Sequence, residues 1–114
     1  MSAITTHVLD LAAGQPARGV PVRLEVAGGE RGWLELATRV TDQDGRVPDL
    51  LPGGARLDAG RYRLSFDTGR YFAASGRPAF YPEVSVVFEV LDPAQHYHVP
   101  LLLSPFGYST YRGS

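Results

Sequence analysis

The 114-residue sequence predicts an all-β fold, a two-sheet β-sandwich of about eight short strands with one short helix. Three observations carry this expectation. Five segments alternate apolar and polar residues with period two, the pattern of a half-buried strand. Thirteen Gly and nine Pro divide the chain at short intervals, which favours many short strands over long helices. One short stretch carries both the start and the stop signals of a helix.

Taken in order, the segment from Ile4 to Asp10 reads as a first strand of ambiguous phase, with Thr5, His7 and Leu9 against Ile4, Thr6 and Val8. Next, Val20, Val22, Leu24 and Val26 share a face opposite Pro21, Arg23 and Glu25. Leu34, Leu36, Thr38 and Val40 then alternate against Glu35, Ala37 and Arg39. Tyr62, Leu64 and Phe66 oppose Arg61, Arg63 and Ser65, and Val84, Val86, Phe88 and Val90 oppose Glu83, Ser85 and Glu89. The last clear strand sets Tyr97, Val99, Leu101 and Leu103 against His96, His98, Pro100 and Leu102. Turns are expected at Gly28-Gly29, Asp44-Gly45, Pro52-Gly53-Gly54 and Asp92-Pro93. The helix is expected from Gly69 to Ser75, capped by Asp67 or Thr68 and ended by Gly76 ahead of Pro78.

Composition narrows the function. Residues 1–114 suit one domain with one core, and leave no room for a separate cofactor domain. A net charge of −1 argues against nucleic acid and polybasic membrane binding as partners. All 11 basic residues are Arg, so lysine Schiff bases, a pyridoxal phosphate anchor and a P-loop lysine are ruled out. The absence of Cys removes thiolate nucleophiles and Cys-ligated zinc. Acid–base chemistry then falls to three His, twelve Asp/Glu and six Tyr. With no apolar run long enough for a membrane helix and no signal-like start, the expected location is cytoplasmic.

His98 is the most informative position, because its strand's core face is already filled by Tyr97, Val99, Leu101 and Leu103. Period-two geometry sends His96 and His98 to the outer face, which also carries Pro100 and Leu102. That mixed face suggests a second burying surface such as a subunit contact; a solvent-facing histidine pair is the alternative. His96 and His98 could share a metal, but only His7 remains as a third imidazole, so no metal is expected. The stretch Thr41-Asp42-Gln43-Asp44-Gly45-Arg46 fails the calcium-loop spacing and reads as an Asp-Gly hairpin turn that presents Arg46. The segment Ser104–Ser114 is rich in aromatics and reads as a docked strand whose end is used.

Four motifs in order resemble the transthyretin-related family, specifically its 5-hydroxyisourate hydrolases. They are Thr6-His7-Val8-Leu9-Asp10, Thr41–Arg46, the run from His96 to Pro105, and Tyr108-Ser109-Thr110-Tyr111-Arg112-Gly113-Ser114. The resemblance spans the chain and implies an eight-stranded transthyretin-like sandwich with a helix after the fifth strand. It also implies a homotetramer, a dimer of dimers, with sites in clefts between dimers. The implied reaction is hydrolysis of 5-hydroxyisourate to 2-oxo-4-hydroxy-4-carboxy-5-ureidoimidazoline, in urate degradation to allantoin, with no cofactor. The catalytic positions carried over are His7, Arg46, His98 and Ser114, and the substrate-binding ones add Tyr111, Arg112 and Gly113. Imidazole suits proton transfer near neutrality, and Arg offers permanent charge to a carbonyl-rich ring. An Arg beside a His also keeps that His neutral. Either His7 or His98 could take the water proton, with His7 preferred. Ser114 could act through its hydroxyl or a terminal carboxylate. The competing functions are a transthyretin-type small-ligand carrier and a non-catalytic structural sandwich.

Overall fold

The computed structural model describes residues 2–51 and 56–114; the expected Pro52-Gly53-Gly54 turn lies outside the described residues. Eight strands and one α-helix are present among the described residues: β1 (Ile4–Asp10), β2 (Gln15–Pro16), β3 (Pro21–Ala27), β4 (Trp33–Val40), β5 (Gly60–Phe66), α1 (Thr68–Ala74), β6 (Val84–Val90), β7 (Tyr97–Ser104) and β8 (Gly107–Thr110). They form two four-stranded sheets, ordered β2-β1-β7-β8 and β4-β3-β5-β6. The two-sheet all-β sandwich expected from the alternation is therefore present, and the helix follows the fifth strand.

The two sheets face each other across an apolar core. Ile4, Val8, Val22, Leu24, Leu64, Phe66, Leu101 and Leu103 are all essentially inaccessible to solvent, and Phe72 of α1 joins them. Each fully buried Leu here is worth about 2–5 kcal/mol against truncation to Ala. The ambiguous phase of β1 resolves with Ile4, Thr6, Val8 and Asp10 inward and Thr5, His7 and Leu9 outward. Asp67 caps α1, its carboxylate accepting from the Arg70 N–H. At the other end Gly76 adopts φ +67°, and the Gly76 and Arg77 N–H groups donate to the Ala73 and Phe72 carbonyls. That paired capping is the Schellman arrangement, which needs a residue at ease in the left-handed region.

Two expectations are corrected. The face assigned to β4 is out of phase: Ala37 is buried, whereas Leu36 and Val40 are 43% and 58% exposed. Leu24 pairs with Ala37 but Glu25 pairs with Glu35, so Leu36 is an extra residue bulged out of the ladder. A bulge flips the side-chain phase, which strict alternation does not anticipate. The Asp44-Gly45 turn is real, with Gly45 at φ +74° and its N–H donating to the Asp42 carbonyl. It is not a hairpin between strands, however. It carries the chain across to the other sheet, where Arg46 forms a lone antiparallel bridge with His7. Among the described residues no helix is long and apolar enough to cross a membrane.

Candidate functional site

The site is built on the outer face of the β1–β7 pair. These strands run parallel, and their register sets Thr5 opposite His98 and His7 opposite Pro100. Period-two alternation then brings Thr5, His7 and His98 to one face although more than ninety residues separate Thr5 from His98.

The turn after β4 delivers Arg46 to the same face. The Asp42 carboxylate accepts from the Asp44 and Arg46 N–H groups at 2.9 and 3.0 Å, which holds the turn closed. The Gly45 carbonyl accepts from the Val8 N–H at 2.8 Å and ties the turn to β1. A Cβ on Gly45 would lie 2.3 Å from the Val8 carbonyl oxygen, so only glycine allows this approach.

The C-terminal segment packs onto the same face. After β8 the Gly113 N–H donates to the His98 carbonyl at 2.8 Å, as a single antiparallel bridge. A Cβ there would sit 2.5 Å from His98 Cδ2 and 3.2 Å from Pro100 Cγ. Backbone without a side chain thus lies directly on the imidazole edge. This contact also accounts for Pro100, which is buried. The second surface expected over this outer face is, at Pro100, the chain's own tail, since Gly113 covers its ring and the Thr110 hydroxyl donates to its carbonyl at 2.8 Å.

The result is a cleft of about 580 Å³, bordered by Thr5, His7, Arg46, His98, Tyr111 and Ser114 among others. That volume lies within the usual range for small-molecule sites. His7 Nε2 lies 2.8 Å from the Asp44 carbonyl oxygen. A carbonyl only accepts, so in neutral His7 the proton sits on Nε2 and Nδ1 keeps a lone pair. His98 Nδ1 lies 2.8 Å from the Thr5 hydroxyl, which is also 3.0 Å from His96 Nε2. Burial, then the Arg46 charge, then His96 and His7 push the His98 imidazole below its ordinary 6.5. His98 is therefore neutral near pH 7. Among the described residues the exposed Arg46 guanidinium has no carboxylate partner.

Six of the seven positions singled out in the sequence border this one cleft; Arg112 does not. Its guanidinium lies 4.6 Å over the Tyr97 ring and donates to the Gln95 side chain at 3.0 Å. Within this chain Arg112 anchors the tail to the β7 approach and leaves the cationic role in the cleft to Arg46. Sequence reading passed over Thr5, whose hydroxyl touches both histidines of the His96-Tyr97-His98 run. Its signal was the outward phase of β1, which the sequence left ambiguous.

A family model described as "HIUase/Transthyretin family" matches residues 4–113. The chain belongs to this family. A mouse relative named 5-hydroxyisourate hydrolase is 49% identical over 114 residues, covering 99% of this chain and 96% of the relative. The solved 5-hydroxyisourate hydrolase of Klebsiella pneumoniae is 40% identical with a TM-score of 0.83, over 97% of this chain and 98% of that one. Sea bream transthyretin in complex with thyroxine superposes with a TM-score of 0.90 at 34% identity, over 98% and 95% of the two chains. Within the family, backbone similarity alone does not separate hydrolase from carrier, and the chemistry of the cleft must do so.

Proposed function

We propose that this chain hydrolyses 5-hydroxyisourate, opening its six-membered ring at an acyl C–N bond to give 2-oxo-4-hydroxy-4-carboxy-5-ureidoimidazoline, a step of urate degradation. The observation that carries the reading is the convergence of His7, Arg46 and His98, from three distant segments, on one cleft. Near-half identity to a relative named for this activity supports it. A carrier for an apolar ligand has no use for three imidazoles and a guanidinium that has no carboxylate partner among the described residues.

The scheme uses no metal and no cofactor. We assign the water proton to His98 rather than to His7, the base preferred from sequence, because burial and the Arg46 charge hold His98 neutral. Its Nε2 takes the proton as the water attacks the acyl carbon, and returns it to the departing ring nitrogen. Arg46 stabilises the oxyanion that develops on the carbonyl, and its charge is fixed at every pH of interest. His7, with its proton committed to the Asp44 carbonyl, offers Nδ1 as an acceptor to a ring N–H or hydroxyl of the substrate. Tyr111 provides an aromatic wall, the Gly113 backbone packs against the His98 imidazole edge, and Ser114 closes the cleft. Arg112 acts by holding this tail in place. Residues 1–114 form one transthyretin-like hydrolase domain. It works as a homotetramer, a dimer of dimers, with its sites in the clefts between dimers; the exposure of Tyr111 and Arg46 supports that arrangement.

The test is stopped-flow absorbance on freshly generated 5-hydroxyisourate, with and without the protein and with a chelator present. Decay should accelerate in proportion to protein and be indifferent to the chelator. Decay at the spontaneous rate would refute the assignment.

A further inference from the structure

The Thr5 hydroxyl lies between two imidazoles, 2.8 Å from His98 Nδ1 and 3.0 Å from His96 Nε2. The rings themselves are nearly parallel, 13° apart, with centroids 6.4 Å from each other, too far for a direct hydrogen bond. His96 is exposed and His98 is half-buried, and both border the cleft. We propose that Thr5 is a positioning residue that couples the two histidines as a proton relay, joining the half-buried His98 to the solvent-exposed His96. The inference rests on the hydrolase reading for its catalytic use, but the coupling itself belongs to the resting protein.

The chemistry follows from the hydroxyl's single proton. It donates to one imidazole and accepts from the other. If His98 donates from Nδ1 to the hydroxyl, the hydroxyl donates to His96 Nε2, and His96 keeps its proton on Nδ1. If the hydroxyl donates to His98 Nδ1 instead, His98 is protonated on Nε2 and His96 donates from Nε2. The two neutral rings therefore carry matched tautomers, both Nδ1–H or both Nε2–H.

Passing a proton switches one state to the other. A water proton arriving at His98 Nε2 displaces the Nδ1 proton to the Thr5 oxygen. The hydroxyl proton then moves to His96 Nε2, and the His96 Nδ1 proton leaves to solvent. When His98 returns its Nε2 proton to the departing nitrogen, each transfer runs backwards and the first state is restored. No charge accumulates on His98 in either direction. That matters because the groups facing it include the cationic Arg46 as well as His7 and His96, with Asp42 and Ser114 also bordering the cleft. An imidazolium beside Arg46 would be disfavoured, and the relay avoids forming one.

The experiment combines nitrogen NMR of the imidazoles with turnover, in the full chain carrying Thr5→Val, Thr5→Ser or His96→Gln. In the parent protein the His96 and His98 tautomers should match; in Thr5→Val they should become independent, and in Thr5→Ser the match should return. With 5-hydroxyisourate, Thr5→Val should lower kcat by roughly 10²-fold, with KM little changed. Thr5→Ser should recover most of that loss. His96→Gln should be slow in dilute buffer and be rescued by added imidazole, which a purely structural defect would not allow. Mismatched tautomers in the parent, or tautomers unmoved by Thr5→Val, would overturn the coupling whatever the substrate. Matched tautomers with a Thr5→Val enzyme of full kcat would overturn the relay. If the parent leaves 5-hydroxyisourate untouched, the hydrolase reading fails, while the tautomers still decide the coupling.

Discussion

The two ends of β1 each carry a polar cluster, and they are built in opposite ways. At the Asp10 end the carboxylate side chain is fully buried and bonded through both oxygens. It accepts from Arg77 Nη2 at 2.7 Å, from the Tyr71 hydroxyl at 2.7 Å and from the Ala13 N–H at 2.9 Å. At the Thr5–His7 end the groups are partly exposed and incompletely paired. Arg46 has no carboxylate partner among the described residues, and each cleft imidazole keeps one ring nitrogen without a hydrogen-bond partner there. The first cluster spends its bonding capacity on joining β1 to α1 and the chain beyond it. The second holds capacity in reserve, which is what a site needs if it is to act on a ligand. Ionisable residues on the same strand thus separate into fastening and chemistry by whether their valences are filled.

The strongest way to break this comparison is to delete the unfilled groups. His98→Ala, His7→Ala and Arg46→Ala should each reduce kcat/KM for 5-hydroxyisourate by roughly 10²–10⁴-fold. None of the three belongs to the apolar core, so circular dichroism and thermal unfolding should stay close to the parent. A variant with near-parent kcat/KM would take its residue out of the site.

Gly113 tests the tail more finely than truncation does. Deleting residues 111–114 should abolish most activity, but it also uncovers Pro100 and so mixes two effects. Gly113→Ala changes one methyl group, placed 2.5 Å from His98 Cδ2, and so displaces the tail or the imidazole. Misplacement on that scale should lower kcat by roughly 10–10²-fold while the fold persists. Full turnover in Gly113→Ala would show that the close approach of the tail has no part in catalysis.

Much of this arrangement was legible in the sequence because period-two alternation is a local signal. Leu64, Phe66, Leu101 and Leu103 sit in the core as their alternation required, and His98 points out because its neighbours point in. Asp67 and Gly76 bracket the helix for equally local reasons. What was not legible depends on pairing between distant segments. Neither the bulge that flips Leu36 nor the register that sets Thr5 against His98 is written in either strand alone. Arg112 was carried over with its motif neighbours, and its contact with Tyr97 depends on how the tail turns after β8. The motif resemblance named residues; only the register shows which of them meet.

Acid should separate the two clusters with two different readouts. Burial by itself would raise the Asp10 carboxyl, but the hydrogen bonds from Arg77 and Tyr71 outweigh it and hold the group below its ordinary 3.8. Its contribution to stability is therefore complete above 3.8 and is lost as pH falls through the lower folded value. His98 is depressed below 6.5, so its neutral, proton-accepting form survives some way under that pH before protonation removes it. Between these limits the chain should remain folded while kcat/KM declines. Asp10→Asn should cost about 3 kcal/mol of stability at neutral pH, the scale for breaking a buried ion pair, and should flatten the acid dependence of unfolding without moving the acid limb of kcat/KM. The smallest effect expected is the complementary one. Arg46→Ala removes one positive neighbour but leaves the burial, which is the larger cause, so the His98 midpoint read by NMR should rise only part of the way back to 6.5. A His98 midpoint that stays put would mean that Arg46 does not act on the imidazole through charge, and its place in the cleft would then have to rest on contact with substrate alone.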